Sequence, residues 1–423
     1  MSKIKVGVFG AARGAAMINI LASHPDAELV AVCDKYKPLL DNVKKLADEK
    51  QLKVALYENF EDFSSHDMDA VVLANYANEH APFAVRLLKS GRHVMSEVLP
   101  CETMSQAVEL IEAVEESGKV YAYAENYCYM TAPFEMRRRY ENGDIGEVQY
   151  AEGEYIHDCS SIWSQITYGD KNHWRNLMHS TFYCTHSLGP ILTITGRRPV
   201  QVVGFETNPN KKRGITDMSI KFSSGGIILA TLDNGAVAKS IHGGLKREPG
   251  SINYEIYGTN GMMETNRWNS WDVSGMSAYI EGEKLCHGEV NHYKPEPFIS
   301  SELAKKTAGH GGSDFYTAHF FIEKILGNPD GQKYSIDVYT AVDMGICGIL
   351  AYRSILNGNI PVKVPNLRNK EERDAYRNDN ACTNPAVAGD QLLPVSPYFD
   401  FYNIPDSEFE RCRQLWLDGK NME

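Results

Sequence analysis

The chain has 423 residues and a formal net charge of −12, which together exclude a single small core and disfavour nonspecific binding to nucleic acid or an anionic membrane. Hydrophobic residues at 43% and charged residues at 23% are the balance of a globular protein, so the length implies two domains and a tail. Nine cysteines, an odd number with no CxxC pair, argue against a disulfide framework or a zinc knuckle; reduced thiols are expected.

Met1 to Val6 run straight into a strand without an apolar signal region, so a cytoplasmic location is expected. No apolar stretch approaches the ~20 residues of a membrane span, and no membrane partner is expected. Residues 4–10 read as a buried first strand. Further apolar strands are predicted at 28–33, 54–57, 70–74, 92–95 and 120–124, with helical spacing over 39–50, 79–90 and 104–117. This alternation predicts an α/β domain over 1–125, built on a doubly wound parallel sheet.

Gly7, Gly10, Ala11, Ala12, Arg13 and Gly14 join the first strand to a helix. Small residues there let the backbone approach a pyrophosphate, and a helix N-terminus favours its charge. The pattern departs from the usual fingerprint, because Ala12 takes the place of a glycine. Asp34, at the end of the second strand, can accept hydrogen bonds from an adenosine ribose, which favours NAD over NADP. Gly10, Ala12, Arg13, Gly14 and Asp34 are therefore expected to bind cofactor. Asn75 and His80 follow the fourth strand, where the crevice of such a sheet lies, and join that set.

After residue 126 the pattern changes. Residues 147–157 alternate like a strand, and further strands are predicted at 200–206, 217–222, 226–232, 236–243 and 252–257. Asn234 and Gly235 signal a hairpin. An open, mainly antiparallel sheet flanked by helices follows, an α+β domain over 126–365. Helices are predicted at 313–327 and 336–356. Residues 366–423 read as a mostly irregular extension with a helix near 406–418, packed on the body or on a neighbouring subunit.

If residues 178–195 are helical, His179, Tyr183 and His186 recur at spacings of four and three and share one face. An imidazole and a phenol on one face suit chemistry on a hydroxyl-bearing substrate. Pro190 has no N–H to offer the carbonyl of His186, so the helix should be irregular there. His157, Asp158, His179 and His186 match no compact zinc spacing, and no metal is expected.

The first-strand glycines, Asp34, the Asn75 to His80 segment, Gly91 to Glu97 and Glu255 to Gly261 together resemble the Gfo/Idh/MocA oxidoreductases. That resemblance implies a Rossmann domain, adds Glu97 to the cofactor set, and implies a homo-oligomer, dimer or tetramer. Typical dehydrogenases of that family carry a lysine after the glutamate; here the residues are Glu97, Val98, Leu99 and Pro100. Glu125 to Tyr129, Tyr155 to Asp158, His173 to Arg175, Tyr183 to Pro190 and Gly309 to Phe315 resemble the branch without that lysine, the NAD-dependent glycosidases of glycoside hydrolase family 109. Ser187 replaces that branch's usual glycine.

By this resemblance Tyr155 and His186 are the catalytic pair, and Glu125, Arg175, Tyr183 and His157 bind a small-molecule glycoside or sugar. NAD is expected to stay tightly bound and be recycled, as a pyranoside is oxidised at C3, loses its C1 substituent, gains water and is reduced again. Two other readings stay open: a net sugar or glycoside dehydrogenase, and a non-catalytic NAD or sugar sensor.

Overall fold

The computed structural model of the protein describes residues 2–207, 225–245, 247, 249–266, 274–283, 291–299, 301–306, 309–394 and 404–422. The chain separates into two compact units, Met1–Thr131 with Glu296–Val342 and Ala132–Pro295 with Asp343–Glu423.

The first unit holds six parallel strands: β1 (Ile4–Phe9), β2 (Ala27–Cys33), β3 (Ala55–Tyr57), β4 (Ala70–Leu73), β5 (His93–Ser96) and β6 (Tyr121–Tyr123). Their order is β3-β2-β1-β4-β5-β6, the doubly wound parallel sheet expected. Val6, Val8, Val71 and Val72 are fully buried, as strands covered by helices on both faces require. The intervening helices include Lys37–Lys50, His80–Lys89 and Met104–Ser117. The last of these is capped by the Thr103 side chain, which accepts from the Gln106 N–H.

Residues 296–342 cluster with this unit, although one domain was expected to run over 126–365. Long-range packing is the reason. Helix Ser313–Ile325 lies on helix Ala15–Leu21 and on the turn Asn126–Tyr129. Asn126 Nδ2 donates to Asp314 Oδ1 at 3.0 Å, a bond that no local periodicity announces.

The second unit is a nine-stranded sheet of β7 (Val148–Ile156), β8 (Pro199–Glu206), β9 (Gly225–Leu232), β10 (Val237–Gly243), β11 (Ser251–Gly258), β12 (Gly261–Thr265), β13 (Met276–Ile280), β14 (Asn291–Tyr293) and β15 (Val362–Lys363). The order is β14-β13-β12-β11-β7-β10-β9-β8-β15. Neighbours are antiparallel except β7 and β10, which run parallel. The β9–β10 hairpin turns at Asn234 and Gly235, with Asn234 Oδ1 accepting from the Ala236 N–H at 3.1 Å. The strand predicted at 217–222 lies outside the described residues. Helix Thr185–Thr195 packs across β7, β10 and β11.

The predicted helices near the C-terminus are Ser313–Ile325, Val338–Leu356 and Asp406–Leu417. The stretch Pro329–Leu356, which no apolar run in the sequence announced, is long and apolar enough to cross a membrane by length and composition, but 83% of its most apolar window is buried inside the protein, as in the core helices of a folded domain.

Candidate functional site

In the first unit, β1 and β4 are the neighbours at which the strand order reverses, and the segments after both carry the expected cofactor residues. Gly10 has φ of +100°, and a Cβ there would stand 2.3 Å from the Ala74 carbonyl oxygen. A Cβ on Gly14 would stand 2.0 Å from the Gly10 carbonyl oxygen. The loop can take this path only with glycine at both positions, whereas Ala12 is exposed and free to carry a methyl. Asp34 Oδ2 accepts from the Ala11 N–H at 2.7 Å, and Oδ1 from the Tyr36 N–H at 2.8 Å. A carboxylate has about four acceptor positions, so two remain for ribose hydroxyls. Asn75 Oδ1 is buried and makes no hydrogen bond. A bare-backbone loop, a ribose acceptor and an unused amide oxygen at the reversal point fit a dinucleotide.

Arg13 is engaged more closely than the sequence suggested. Its guanidinium bridges Glu97 Oε1 at 2.7 Å and Asp314 Oδ1 at 2.9 Å. His310 Nδ1 lies 2.8 Å from Asp314 Oδ2. Burial works to raise the Asp314 carboxyl, but the His310 hydrogen bond and the Arg13 charge outweigh it and hold the group well below the usual carboxylate range. Glu97 and Arg13 thus tie the nucleotide loop to the end of β5 and to the turn at 309–312. His310 was quoted in the sequence motif without a role. Its side chain is 47% exposed.

His80 is a correction to the cofactor set. It is buried, with Nδ1 3.2 Å from the Leu99 carbonyl oxygen and Nε2 3.3 Å from that of Asn75. Burial pushes its pKa down to about 4, so it is a neutral tie between the loops after β4 and β5. Glu125, expected to meet substrate, is fully buried in the first unit and caps the turn Asn126–Tyr129 by accepting from the Tyr127 N–H.

The second unit brings together five of the expected residues. Tyr155 lies at the end of β7 and His157 just after it, Arg175 lies in the short helix Trp174–Leu177, Tyr183 closes the turn Ser180–Tyr183, and His186 opens helix Thr185–Thr195. His186 Nε2 is 3.1 Å from the Tyr183 hydroxyl. The Tyr155 ring meets the His186 ring edge-on at 4.9 Å, and its hydroxyl is 3.1 Å from His157 Nδ1. Arg175 lies 4.2 Å over the Trp174 ring and 5.1 Å over that of Tyr183. Burial opposes the Arg175 charge, and the facing Tyr183, Cys159 and Tyr155 groups outweigh it. A cation facing two phenols and an imidazole within hydrogen-bond reach of one of them can move a proton and hold a developing oxyanion.

The helix expected over 178–195 is broken. Ser180–Tyr183 is a 3-10 turn capped by His179, and the α-helix begins only at Thr185. His179 therefore leaves the Tyr183 and His186 face. It is buried, stacks on Tyr352 at 4.1 Å and lies 3.3 Å from Glu206 Oε2. The interruption at Pro190 has a specific remedy: the Tyr254 hydroxyl on β11 donates to the His186 carbonyl at 2.6 Å, replacing the N–H that proline lacks. Sequence reasoning missed Tyr254, since only the register of β11 brings it beneath that helix. Among the described residues no group of three or more His, Cys, Asp or Glu is arranged to hold a metal ion.

Two family models match the chain. One, described as "Oxidoreductase family, NAD-binding Rossmann fold", matches residues 4–125. The other, "Glycosyl hydrolase 109, C-terminal domain", matches residues 132–371. Glycosyl hydrolase family 109 protein 1 of Bacteroides thetaiotaomicron is 27% identical over 408 residues, covering 86% of this chain and 85% of its own. A glycosyl hydrolase family 109 protein of Stenotrophomonas maltophilia is 25% identical over 415 residues, covering 86% and 88%. The fold is shared with levoglucosan dehydrogenase in complex with NADH and levoglucosan, at a TM-score of 0.68 and 16% identity over 86% of this chain and 100% of the other. It is also shared with an inositol dehydrogenase homolog from Azotobacter vinelandii complexed with NAD+, at 0.68 and 15% over 86% and 98%. The chain belongs to the glycosyl hydrolase 109 family, joined to an NAD-binding Rossmann domain of the Gfo/Idh/MocA type, and is an NAD-dependent enzyme.

Proposed function

We propose that the enzyme hydrolyses a glycoside of a pyranose sugar by transient oxidation at C3, elimination of the C1 substituent, addition of water and re-reduction. The observation that carries this reading is the meeting of Tyr155, Tyr183 and His186 beside Arg175, without a lysine at position 98. NAD, when bound, supplies a reversible acceptor for the C3 hydrogen, so no net oxidant is consumed.

The residues have the following parts. Tyr155 or His186 takes the proton from the C3 hydroxyl; a cation such as Arg175 facing the phenol favours its anionic form. The resulting ketone acidifies the C2 hydrogen. A second base removes that proton, and the Arg175 guanidinium holds the enolate oxygen as the C1 bond breaks. Water adds to C1 and a proton returns to C2. This route has no need of the paired carboxylates of ordinary glycosidases. Val98 cannot carry a proton, which counts against the usual lysine-assisted dehydrogenase chemistry.

The test is incubation of purified protein with a panel of α and β aryl glycosides in D2O, with and without added NAD. Aglycone release with deuterium at C2 and no net NADH is the expected result. Net NADH with an intact glycoside would instead establish a sugar dehydrogenase. Nucleotide binding without turnover of any glycoside would leave a sensor.

A further inference from the structure

The matched family model stops at residue 371, and nothing assigns a part to the final helix Asp406–Leu417. That helix packs on helix Trp163–Thr167 within the second unit. Its Cys412 is fully buried, with Sγ 3.8 Å from Thr167 Oγ1. Beyond it, the Lys420 carbonyl accepts from Ser164 Oγ at 2.9 Å and the Met422 N–H donates to the Ser161 carbonyl at 2.7 Å.

The segment so covered has little order of its own. Its helices are Ser160–Ile162, Trp163–Thr167 and Trp174–Leu177, each far below the length at which an isolated helix persists. Between them Tyr168 and Gly169 are both left-handed, with φ of +59° and +62°. A tyrosine in that conformation is strained and persists only where surrounding packing imposes it. The Trp416 ring supplies such packing, meeting Tyr168 edge-on at 5.3 Å. A Cβ at position 169 would stand 2.4 Å from the Arg413 nitrogen, so the turn and the C-terminal helix are fitted to each other. Trp163 Nε1 donates to Asn176 Oδ1 at 3.1 Å, which fastens this turn's helix to the one bearing Arg175. Tyr168 also meets His173, which stacks on Trp174.

We infer that the C-terminal helix is a positioning element for sugar binding: it imposes the Tyr168–Gly169 turn and, through the Trp163–Asn176 brace, the placement of Trp174 and Arg175. The inference rests on the proposed sugar site for its effect on substrate, but not for its effect on the segment itself. The helix acts through Trp174 and Arg175, whereas Tyr155 and His186 are carried by β7 and by helix Thr185–Thr195.

Three full-length variants test it: Trp416→Ala, the conservative Trp416→Phe, and Gly169→Ala, which drives the turn and the helix apart without touching the helix's own sequence. Amide hydrogen exchange over residues 160–177, measured without sugar, should rise at least ~10-fold in Trp416→Ala and Gly169→Ala and stay near native in Trp416→Phe. With the glycoside that the native enzyme turns over, kcat/KM should fall at least ~10-fold in Trp416→Ala and Gly169→Ala and stay near native in Trp416→Phe, because Arg175 serves both the bound sugar and the developing enolate. NAD affinity should not change. Exchange altered only within 406–417, or a native kcat/KM in both Trp416→Ala and Gly169→Ala, would overturn the inference. If the native enzyme turns over no glycoside, the sugar reading fails, and the exchange pattern at 174–177 alone decides whether the helix holds Arg175's segment.

Discussion

In the first unit the residues suited to a dinucleotide act through the main chain. Gly10 and Gly14 matter for the side chains they lack, and Asp34 fixes the loop by accepting two backbone N–H groups. In the second unit the work falls to side chains drawn from a strand end, two short helical turns and a longer helix, with Tyr155, Arg175, Tyr183 and His186 meeting through rings and hydroxyls. A main-chain site is short in sequence and tolerates few substitutions at its glycines. A side-chain site is dispersed, and its members can be removed one at a time without unfolding what carries them.

The largest effect separating the two should come from Gly10→Val. A branched side chain at a left-handed position, pressed against the Ala74 carbonyl, costs about 3 kcal/mol, or ~100-fold in NAD affinity. Titration with NAD checks this, and near-native affinity would refute the main-chain account. His186→Ala and Tyr155→Phe should do the reverse, lowering turnover at least ~100-fold with NAD affinity intact. Near-normal rates in both would remove them from the chemistry.

A finer test concerns the broken helix. Tyr254→Phe removes the hydroxyl that donates to the His186 carbonyl and should cost about 1–3 kcal/mol in urea unfolding. Adding Pro190→Ala restores an N–H to that carbonyl, so the double variant should recover most of the loss. Additive costs would show that Tyr254 acts by packing alone.

The most gradual effect is on pH dependence. Burial pushes His242 down to about 3 and His80 down to about 4. Both folded values lie below the unfolded one near 6.5, so the unfolded chain takes up protons first. Their stabilisation is complete above about pH 6.5 and declines as pH falls toward 4, by at most ~1.4 kcal/mol per pH unit for each histidine. Chemical denaturation at pH 7, 6 and 5 should show this slope, and His242→Gln should lessen it in the second unit while leaving the His80 share in the first.

The six strands of the parallel sheet were legible to within a residue, because most are largely apolar runs bounded by turn residues. Val71 and Val72 have no solvent face to blur the pattern. The glycine-bearing turn after β1 was legible for the same local reason. His80 was misread because a histidine after β4 looks alike whether it faces a ligand or two carbonyls of its own chain. The 178–195 helix was misread because spacing cannot see the cap at His179, whose imidazole is drawn away by Glu206 and Tyr352. Tyr254 and Trp416 left no local signal, since each acts on a segment remote in sequence; Asp314 stood in the Gly309–Phe315 motif, but its pairing with Arg13, 301 residues away, could not be read there. Tyr155 and Arg175 entered the expected site through a motif resemblance; composition alone would have left them as rim and ion-pair residues.

The position of β7 bears on how the second unit is made. It lies inside the larger sheet, yet both neighbours, β10 and β11, come later in the chain, and one of them is parallel to it. A ribosome that has released β7 has therefore exposed a strand with two open edges and no partner within local reach. Closing it requires β8 to β11 to be synthesised and a long loop to be ordered at once, which makes this unit the slower to fold. Until then the exposed edges are the chain's main hazard for misassembly, and chaperone demand during synthesis should peak between release of β7 and release of β11.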